Sequence, residues 1–342
     1  MQLIVLGLNH KTGPVEIRER FNFSQDRTVR VLRRLRNNDN LNEAVLLSTC
    51  NRTELYMVLE DPAAGLHFIR TLLRHLAGEQ YKPDYFYNLT GINCVRHLFK
   101  VASSLDSLII GEGQILSQIK NAYHLSRSCG MTDTLFNTLF NRAIAVGKRV
   151  RTETKIAYSS VSVSSAAVDL AIDVVGDLTK ANILVLGAGR MSELTARHLI
   201  DKGAKTIFVS NRNLSHAQEL AEKFNGTAIP YNEFMHQAIT SDIIITSTGA
   251  PHYVITEQGV RDIIPKRSGK PLILVDIAVP RDVDPLVGDI EGVTLYNIDD
   301  LEGVVDMNKN FRSSEAKVAE AIIDEEITAL KERLRYLTMR PV

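Results

Sequence analysis

Cys50 sits where an apolar run breaks, in LLSTCNRTELYMVL (residues 46–59), two positions before Arg52. A structural thiol is kept among apolar side chains, whereas a nucleophilic one needs a positive field and access to solvent. A second group of residues suited to chemistry follows an apolar strand: VLGAGRMS (185–192) sets Gly187 and Gly189 at its end, with Ser192 where a third glycine often stands. In such a turn the first glycine makes the tight bend and the second lets the backbone approach a pyrophosphate. The helix that follows offers its positive end. Arg190, Met191 and Ser192 open that helix and join the two glycines as candidate cofactor contacts. An NAD site usually closes its second strand with Asp or Glu; here that strand ends VSNRN (209–213). No carboxylate repels a 2′-phosphate, and Arg212, beside Asn211, can pair with one, so NADPH is expected over NADH.

A nicotinamide site alone implies hydride transfer, and the thiol narrows what is reduced. A thiolate displaces an activated ester, and the thioester formed can accept a hydride and leave as an aldehyde, which a free carboxylate does not do at a useful rate. Cys94, beside Val95 and Leu98, and Cys129 read instead as buried, inert thiols.

The elements that must hold these groups divide the chain. Residues 2–8, 43–50 and 53–60 read as strands, with helices at 24–36 and 62–77 and a short strand at 84–89, a pattern of ferredoxin-like α+β type. From 91 to about 153 the apolar spacing is helical. Serine-rich 159–175 reads as a linker helix, and its serines at 159–165 as a hinge. Apolar strands at 181–190, 205–210, 242–247 and 271–276 alternate with helices at 190–202 and 213–224, the pattern of a Rossmann-type parallel sheet. The tail, 300–338, carries an apolar stripe of Val304, Met307, Phe311, Val318, Ile322, Ile327, Leu330, Leu334 and Leu337, fit either to dock on the other domains or to meet a partner. The expected divisions are a catalytic domain at 1–150, a nucleotide-binding domain at 151–295 and a long helix at 296–342.

Composition excludes other classes. Forty basic residues balance forty acidic ones, so there is no overall cationic field, although RVLRRLR (30–36) could touch phosphate as readily as form a solvated helix face. Three cysteines without paired spacing fit a reducing interior and no disulfide scaffold. Without CxxC or HExxH a zinc site is not expected. With no leader pattern and no apolar run of membrane length, a cytoplasmic protein is expected.

Five stretches in order, GLNHKTGPVEIRE (7–19), STCNRTELY (48–56), HLFKVASSLDSLIIGEGQILSQIKNAY (97–123), GAGRMSEL (187–194) with Asn211-Arg212, and DIAVPRDVDP (276–285), together resemble the glutamyl-tRNA reductase family. The resemblance implies NADPH-dependent reduction of glutamyl-tRNA(Glu) to glutamate-1-semialdehyde through a cysteine thioester, the first step of five-carbon tetrapyrrole biosynthesis. It implies a catalytic N-terminal domain, an NADPH-binding domain and a spinal helix leading to a dimerisation domain, with handover of the aldehyde to an aminomutase as a further implication. Carried onto this chain, the nucleophile falls on Cys50, and the histidine near it on His97. Glutamyl contacts fall on Thr49, Arg52 and Ser107, with Glu112 and Gln114 in a family signature. Arg52 suits a bidentate clamp on a substrate carboxylate. Ser104 replaces a common family glycine, and the chain ends where the dimerisation domain is expected, so that domain reads as absent or truncated. Two other readings remain at this stage: an NADP-dependent reductase of a small soluble acyl or keto substrate, and a non-catalytic tRNA- or nucleotide-binding sensor.

Overall fold

The structure, a computed structural model, describes residues 1–77, 82–108, 110–156, 163–301 and 309–338. These divide into two compact units, Met1–Ser160 with Asn308–Val342, and Val161–Met307.

The first unit is built on strands β1 (Gln2–Asn9), β2 (Leu41–Ser48), β3 (Arg52–Leu59) and β4 (Tyr87–Thr90), in the order β2-β3-β1-β4 with every pairing antiparallel. This is the ferredoxin-like arrangement expected from the sequence. The fourth strand begins three residues later than expected, because Pro83–Tyr85 turns as a 3-10 helix first. Helices α1 (Val15–Arg18), α2 (Gln25–Leu35) and α3 (Pro62–Ala77) belong to one side of the sheet, and α4 (Gly91–Ala102), α5 (Ile115–Ser128) and α6 (Thr134–Glu153) to the other. Strand alternation makes both layers possible. Ile4, Leu6, Leu46, Met57 and Leu59 join Phe21, Leu32 and Ile69 in one core, while Val5, Val45, Leu47 and Val58 join Leu98, Phe99, Phe140 and Val146 in the other. Helix α6 approaches α4 closely at Gly147, where an added Cβ would lie 2.5 Å from the Ala102 carbonyl oxygen.

The last helix, α12 (Lys309–Thr338), lies against α4 and α6. Ala319, Ile322, Ile323, Ile327 and Leu330 enter the α4–α6 core, and ion pairs Arg96–Asp324 (2.5 Å), Lys100–Glu320 (2.7 Å) and Arg142–Glu326 (2.5 Å) flank them. The stripe at Ile322, Ile327 and Leu330 is therefore docked within the unit, whereas Val318 is 48% exposed. Val304 and Met307, and the side chains of Phe311, Leu334 and Leu337, lie outside the described residues, as does the serine-rich segment as far as residue 162.

In the second unit, α7 (Val163–Val175) packs on the first helix of a parallel βα sheet. The sheet elements run β5 (Asn182–Leu186), α8 (Arg190–Asp201), β6 (Thr206–Asn211), α9 (Leu214–Lys223), β7 (Thr227–Pro230), α10 (Phe234–Gln237), β8 (Ile243–Thr246), α11 (Glu257–Ile263), β9 (Leu272–Asp276) and β10 (Val293–Asn297). The order β10-β9-β8-β5-β6-β7, parallel throughout, is that of a Rossmann sheet and reverses direction between β5 and β8. Strands β7 and β10, unanticipated from the sequence, are its two half-buried edges. No helix among the described residues is long and apolar enough to cross a membrane.

Candidate active site and nucleotide site

Cys50 lies in the turn joining β2 to β3. Thr49 builds that turn: its Oγ1 accepts from the Asn51 and Arg52 amides (3.2 and 3.1 Å), and its own amide donates to the Arg52 carbonyl (2.8 Å). On β3, alternation puts Arg52, Glu54 and Tyr56 on the α4 face, and Glu54 is fully buried. Gly7, directly across on β1, makes this possible, because a Cβ there would lie 2.8 Å from Glu54 Cγ and 2.9 Å from Tyr87 Oη.

Glu54 is the acceptor on which four side chains converge. Arg52 Nη1 donates to Oε1 (2.6 Å), Tyr87 Oη to Oε1 (2.5 Å), Tyr56 Oη to Oε2 (2.5 Å) and His97 Nε2 to Oε1 (2.9 Å). Burial works to raise the Glu54 pKa, but Arg52 first and His97 next outweigh it and hold the carboxyl well below the ordinary range. Arg52 Nη1 also donates to Asp106 Oδ2 (3.1 Å), and Nη2 to the Asp106 carbonyl. Lys11 donates to the other Asp106 oxygen (2.5 Å).

This geometry corrects two expectations. Arg52 does not present a vacant fork: the protein's own acceptors already engage both terminal nitrogens. Nor does it bathe the thiol in net positive charge, since Glu54 and Asp106 neutralise it. Cys50 is half-buried, and burial pushes its thiol up to about 12; the Glu112 carboxylate acts in the same direction and Arg18 against it. The resting thiol is thus neutral at physiological pH. Cys94 is fully buried and its thiol is raised by burial, as expected, but Cys129 is half-buried at the edge of the α2–α3 core instead of sealed within it.

The segment between α4 and α5 carries the remaining candidates. Ser107 is buried next to Asp106, and Gln114 is the residue at which α5 starts. Glu112 is raised by burial, with Arg151 and Arg52 opposing. Ser104 holds this segment in a left-handed conformation (φ 58°), and its hydroxyl donates to the Glu112 carbonyl (2.7 Å), to which Arg151 also donates (2.9 Å). A glycine would be less strained there but would lose that tie. His10, after β1, is held neutral: burial first, then Arg52 and Lys11, push it down to about 4, and its buried Nδ1 has no protein partner.

The second unit gathers its own candidates around a cavity of about 400 Å³ at the C-terminal ends of β5, β6 and β8, lined by Gly187, Gly189, Asn211, Arg212 and the 247–250 turn. Gly187 adopts φ 112° and leaves no space for a side chain, as a Cβ would lie 2.7 Å from the Ser247 carbonyl oxygen. At Gly189, which caps α8, a Cβ would meet no protein atom, so the backbone there is open to a ligand. Ser192 does not face the cavity: it is buried, with Oγ 2.7 Å from Ser247 Oγ, and keeps α8 on the 247–250 turn. Arg190 and Met191 do not line the cavity either. His216, Tyr231 and buried Ser210, whose Oγ has no protein partner, line it unanticipated. No carboxylate does. These residues fit a phosphate-bearing dinucleotide. The turn itself is held by Asp282, which accepts from the Thr248 amide (2.7 Å) and hydroxyl.

Residues 6–154 match the family described as glutamyl-tRNAGlu reductase, N-terminal domain, and residues 169–304 match shikimate/quinate 5-dehydrogenase. Over 344 residues the chain is 45% identical to glutamyl-tRNA reductase of Trichlorobacter lovleyi, covering all of this chain and 79% of that protein. It is 46% identical over 345 residues to that of Syntrophotalea carbinolica, covering all of this chain and 78% of its relative. Among solved structures it is similar to glutamyl-tRNA reductase from Methanopyrus kandleri, with 36% identity and a TM-score of 0.52, covering 98% of this chain and 81% of that one.

Two measurements test the electrostatics of the first unit. Glu54→Gln leaves the Arg52 charge partly uncompensated and should lower stability by about 3–5 kcal/mol at neutral pH, read from urea unfolding. Because the Glu54 pKa is depressed on folding, its contribution is complete above the ordinary value of 4.5 and is lost as pH falls below it. The gap between parent and variant should therefore narrow in acid, and a gap independent of pH would contradict this account. Glu112→Gln removes a charge that disfavours the thiolate, so iodoacetamide should modify Cys50 at lower pH than in the parent, followed on the Cys50 peptide by mass spectrometry. A profile unmoved or shifted upward would show that Glu112 does not act on the thiol.

Proposed function

Because the chain belongs to the glutamyl-tRNA reductase family, enzymes that are oxidoreductases, we propose that it converts glutamyl-tRNA(Glu) to glutamate-1-semialdehyde, releasing the tRNA, through a thioester on Cys50 and with NADPH as reductant. What supports this most is Cys50 itself: a half-buried thiol in a turn held by Thr49, next to a fully compensated set of charges. In the first step the Cys50 Sγ–carbonyl bond forms, the ester C–O bond breaks, and the ribose hydroxyl leaves with the proton the thiol gave up. When bound, NADPH supplies the hydride that turns the acyl group into an aldehyde, with the thiolate as leaving group and a proton restoring the thiol.

The neutral resting thiol gives the substrate a part in its own activation. A glutamyl ester carries an α-ammonium group next to the reacting carbonyl, and Glu112 is the carboxylate that acts on Cys50. Pairing the two cancels the carboxylate's part in keeping the thiol protonated, the part that adds to burial, so the thiolate forms more readily when substrate arrives. The substrate's side-chain carboxylate has its counterpart in Arg52, where the half-exposed Asp106 is the acceptor it would displace, with Lys11 beside it. His97, fixed by Glu54 and edge-on to Tyr87 (5.3 Å between ring centres), is held to orient the acyl group or pass a proton to its oxygen. Ser107 and Gln114 complete the glutamyl pocket in this reading.

For the cofactor, Gly187 and Gly189 with the start of α8 suit the pyrophosphate, and Asn211, Arg212 and Ser210 suit a ribose 2′-phosphate. The place in tetrapyrrole synthesis, the homodimer and a handover to glutamate-1-semialdehyde aminomutase belong to the same reading.

The thioester step is tested by a single turnover with radiolabelled glutamyl-tRNA. The parent should retain label without NADPH and release semialdehyde with it, while Cys50→Ser should do neither; a variant that still makes aldehyde would reduce Cys50 to a structural role. For the cofactor, Arg212→Leu should weaken NADPH binding by about 10–100-fold, as expected for losing a charge-assisted contact, and leave NADH little changed. Nicotinamide fluorescence titration reads both, and an equal loss for the two would remove Arg212 from the 2′-phosphate.

A further inference from the structure

Resting on that reading and carrying it further, we propose that a cavity at the edge of β2, between Phe23 and α5, seats the 3′-terminal adenosine of the aminoacyl-tRNA, and that the exposed arginines of α2 follow the phosphates leading to it. The chemistry requires such a subsite. The oxygen that leaves is a ribose hydroxyl bonded to the very carbon that Cys50 attacks, so the terminal nucleoside must sit against the thiol.

The cavity has a volume of about 520 Å³, within the range of small-ligand sites. Its walls continue the turn that carries Cys50 and two segments whose charges act on its thiol. Ser48 ends β2, two residues before Cys50; Phe23 lies five residues after Arg18 and Gln118 six residues after Glu112, the two groups in question. Ser48 joins two of these walls, its Oγ accepting from the Phe23 amide (2.9 Å).

The lining suits a nucleoside. His124, exposed on α5, offers an aromatic ring on which a base can stack, and buried Phe23 closes the opposite wall. The carboxamides of Gln118 and Asn121 can hydrogen-bond a base edge, and the Thr28 and Ser48 hydroxyls a ribose. No carboxylate lines the cavity, so nothing there repels a phosphate. The positive charge lies just outside: Arg27 stacks its guanidinium over Phe23 (4.7 Å), and α2, which supplies Thr28, exposes Arg30, Arg33 and Arg34 to solvent, with Arg36 next. The arginine-rich stretch of the sequence thereby gains a reason beyond solvation. The cavity between α6 and α12 shares no wall with the thiol segments.

The test compares how fast Cys50 is acylated, without NADPH, by 2′(3′)-O-glutamyl-adenosine and by glutamic acid α-methyl ester. Each rate is divided by that ester's rate with free glutathione, to remove intrinsic reactivity. In the parent the adenosyl ester should be favoured by about tenfold or more, the contribution expected of one stacked base. Ala122→Phe, which fills the cavity, should bring the ratio toward one. So should the double variant Asn121→Ala/His124→Ala, whose side chains are exposed on α5 and whose replacement spares the core. A parent ratio near one, or a ratio that survives in both variants, overturns the subsite. Labelling of Cys50 by glutamyl-tRNA without discrimination between the small esters sinks the subsite alone. If neither ester nor glutamyl-tRNA labels Cys50, the thioester reading falls and the subsite with it.

Discussion

Arg52 carries a permanent charge into the interior of the first unit, and much of what surrounds it follows from the need to compensate that charge where water is excluded. One carboxylate is not enough. Glu54 must itself be buried to meet the guanidinium, which leaves its remaining acceptor sites to be filled by Tyr56, Tyr87 and His97. Those partners come from β3, β4 and α4, so satisfying one charge pins three elements together. Gly7 belongs to the same requirement, since any side chain on β1 at that point would occupy the space of the carboxylate. A partly satisfied network of this kind costs more than an apolar core, which is why each member has its place.

The second unit solves a different problem, holding its glycine turn open. Gly187 is confined by the Ser247 backbone, and Ser192 bonds Ser247 from the helix side, while Asp282 fixes Thr248 from the following loop. Gly189 faces open space as a result. The rigidity thus lies in side chains behind the turn, and the exposed backbone in front is left for a ligand.

Much of this was legible in the sequence, unevenly. The central strands β5, β6, β8 and β9 are continuous apolar runs because both faces are covered, and such runs stand out. Edges β7 and β10 are short and half-buried, and Pro230 interrupts the pattern of the first, so neither announces itself. Around Cys50, the residues named from the sequence were those with recognisable chemistry, while Glu54, Tyr87 and Asp106 were missed. The signal for Glu54 was present: RTELY places an acid on the same strand face as Arg52 and Tyr56, flanked by apolar residues. What spacing cannot reveal is that Glu54 and Asp106 would neutralise the arginine, since that depends on Gly7 and on a segment some fifty residues away. Ser104 teaches the same point. Read as a lone replacement for glycine it removes no chemistry, but its left-handed backbone and its bond to the Glu112 carbonyl make it a brace for the segment that carries Asp106, Ser107 and Glu112.

Keeping Cys50 as a neutral thiol also bears on its survival. Peroxide and similar oxidants react with thiolates far faster than with thiols, and the products beyond sulfenic acid are not readily reversed. Burial and the neighbouring carboxylate make the resting thiol a poor target, and in the proposed thioester route they leave the nucleophile unarmed until substrate binds. Exposure to damage is then confined to the interval in which the thiolate exists. On the proposed thioester route, oxidative loss of the enzyme should scale with the number of turnovers it performs, and only weakly with the time it stands idle.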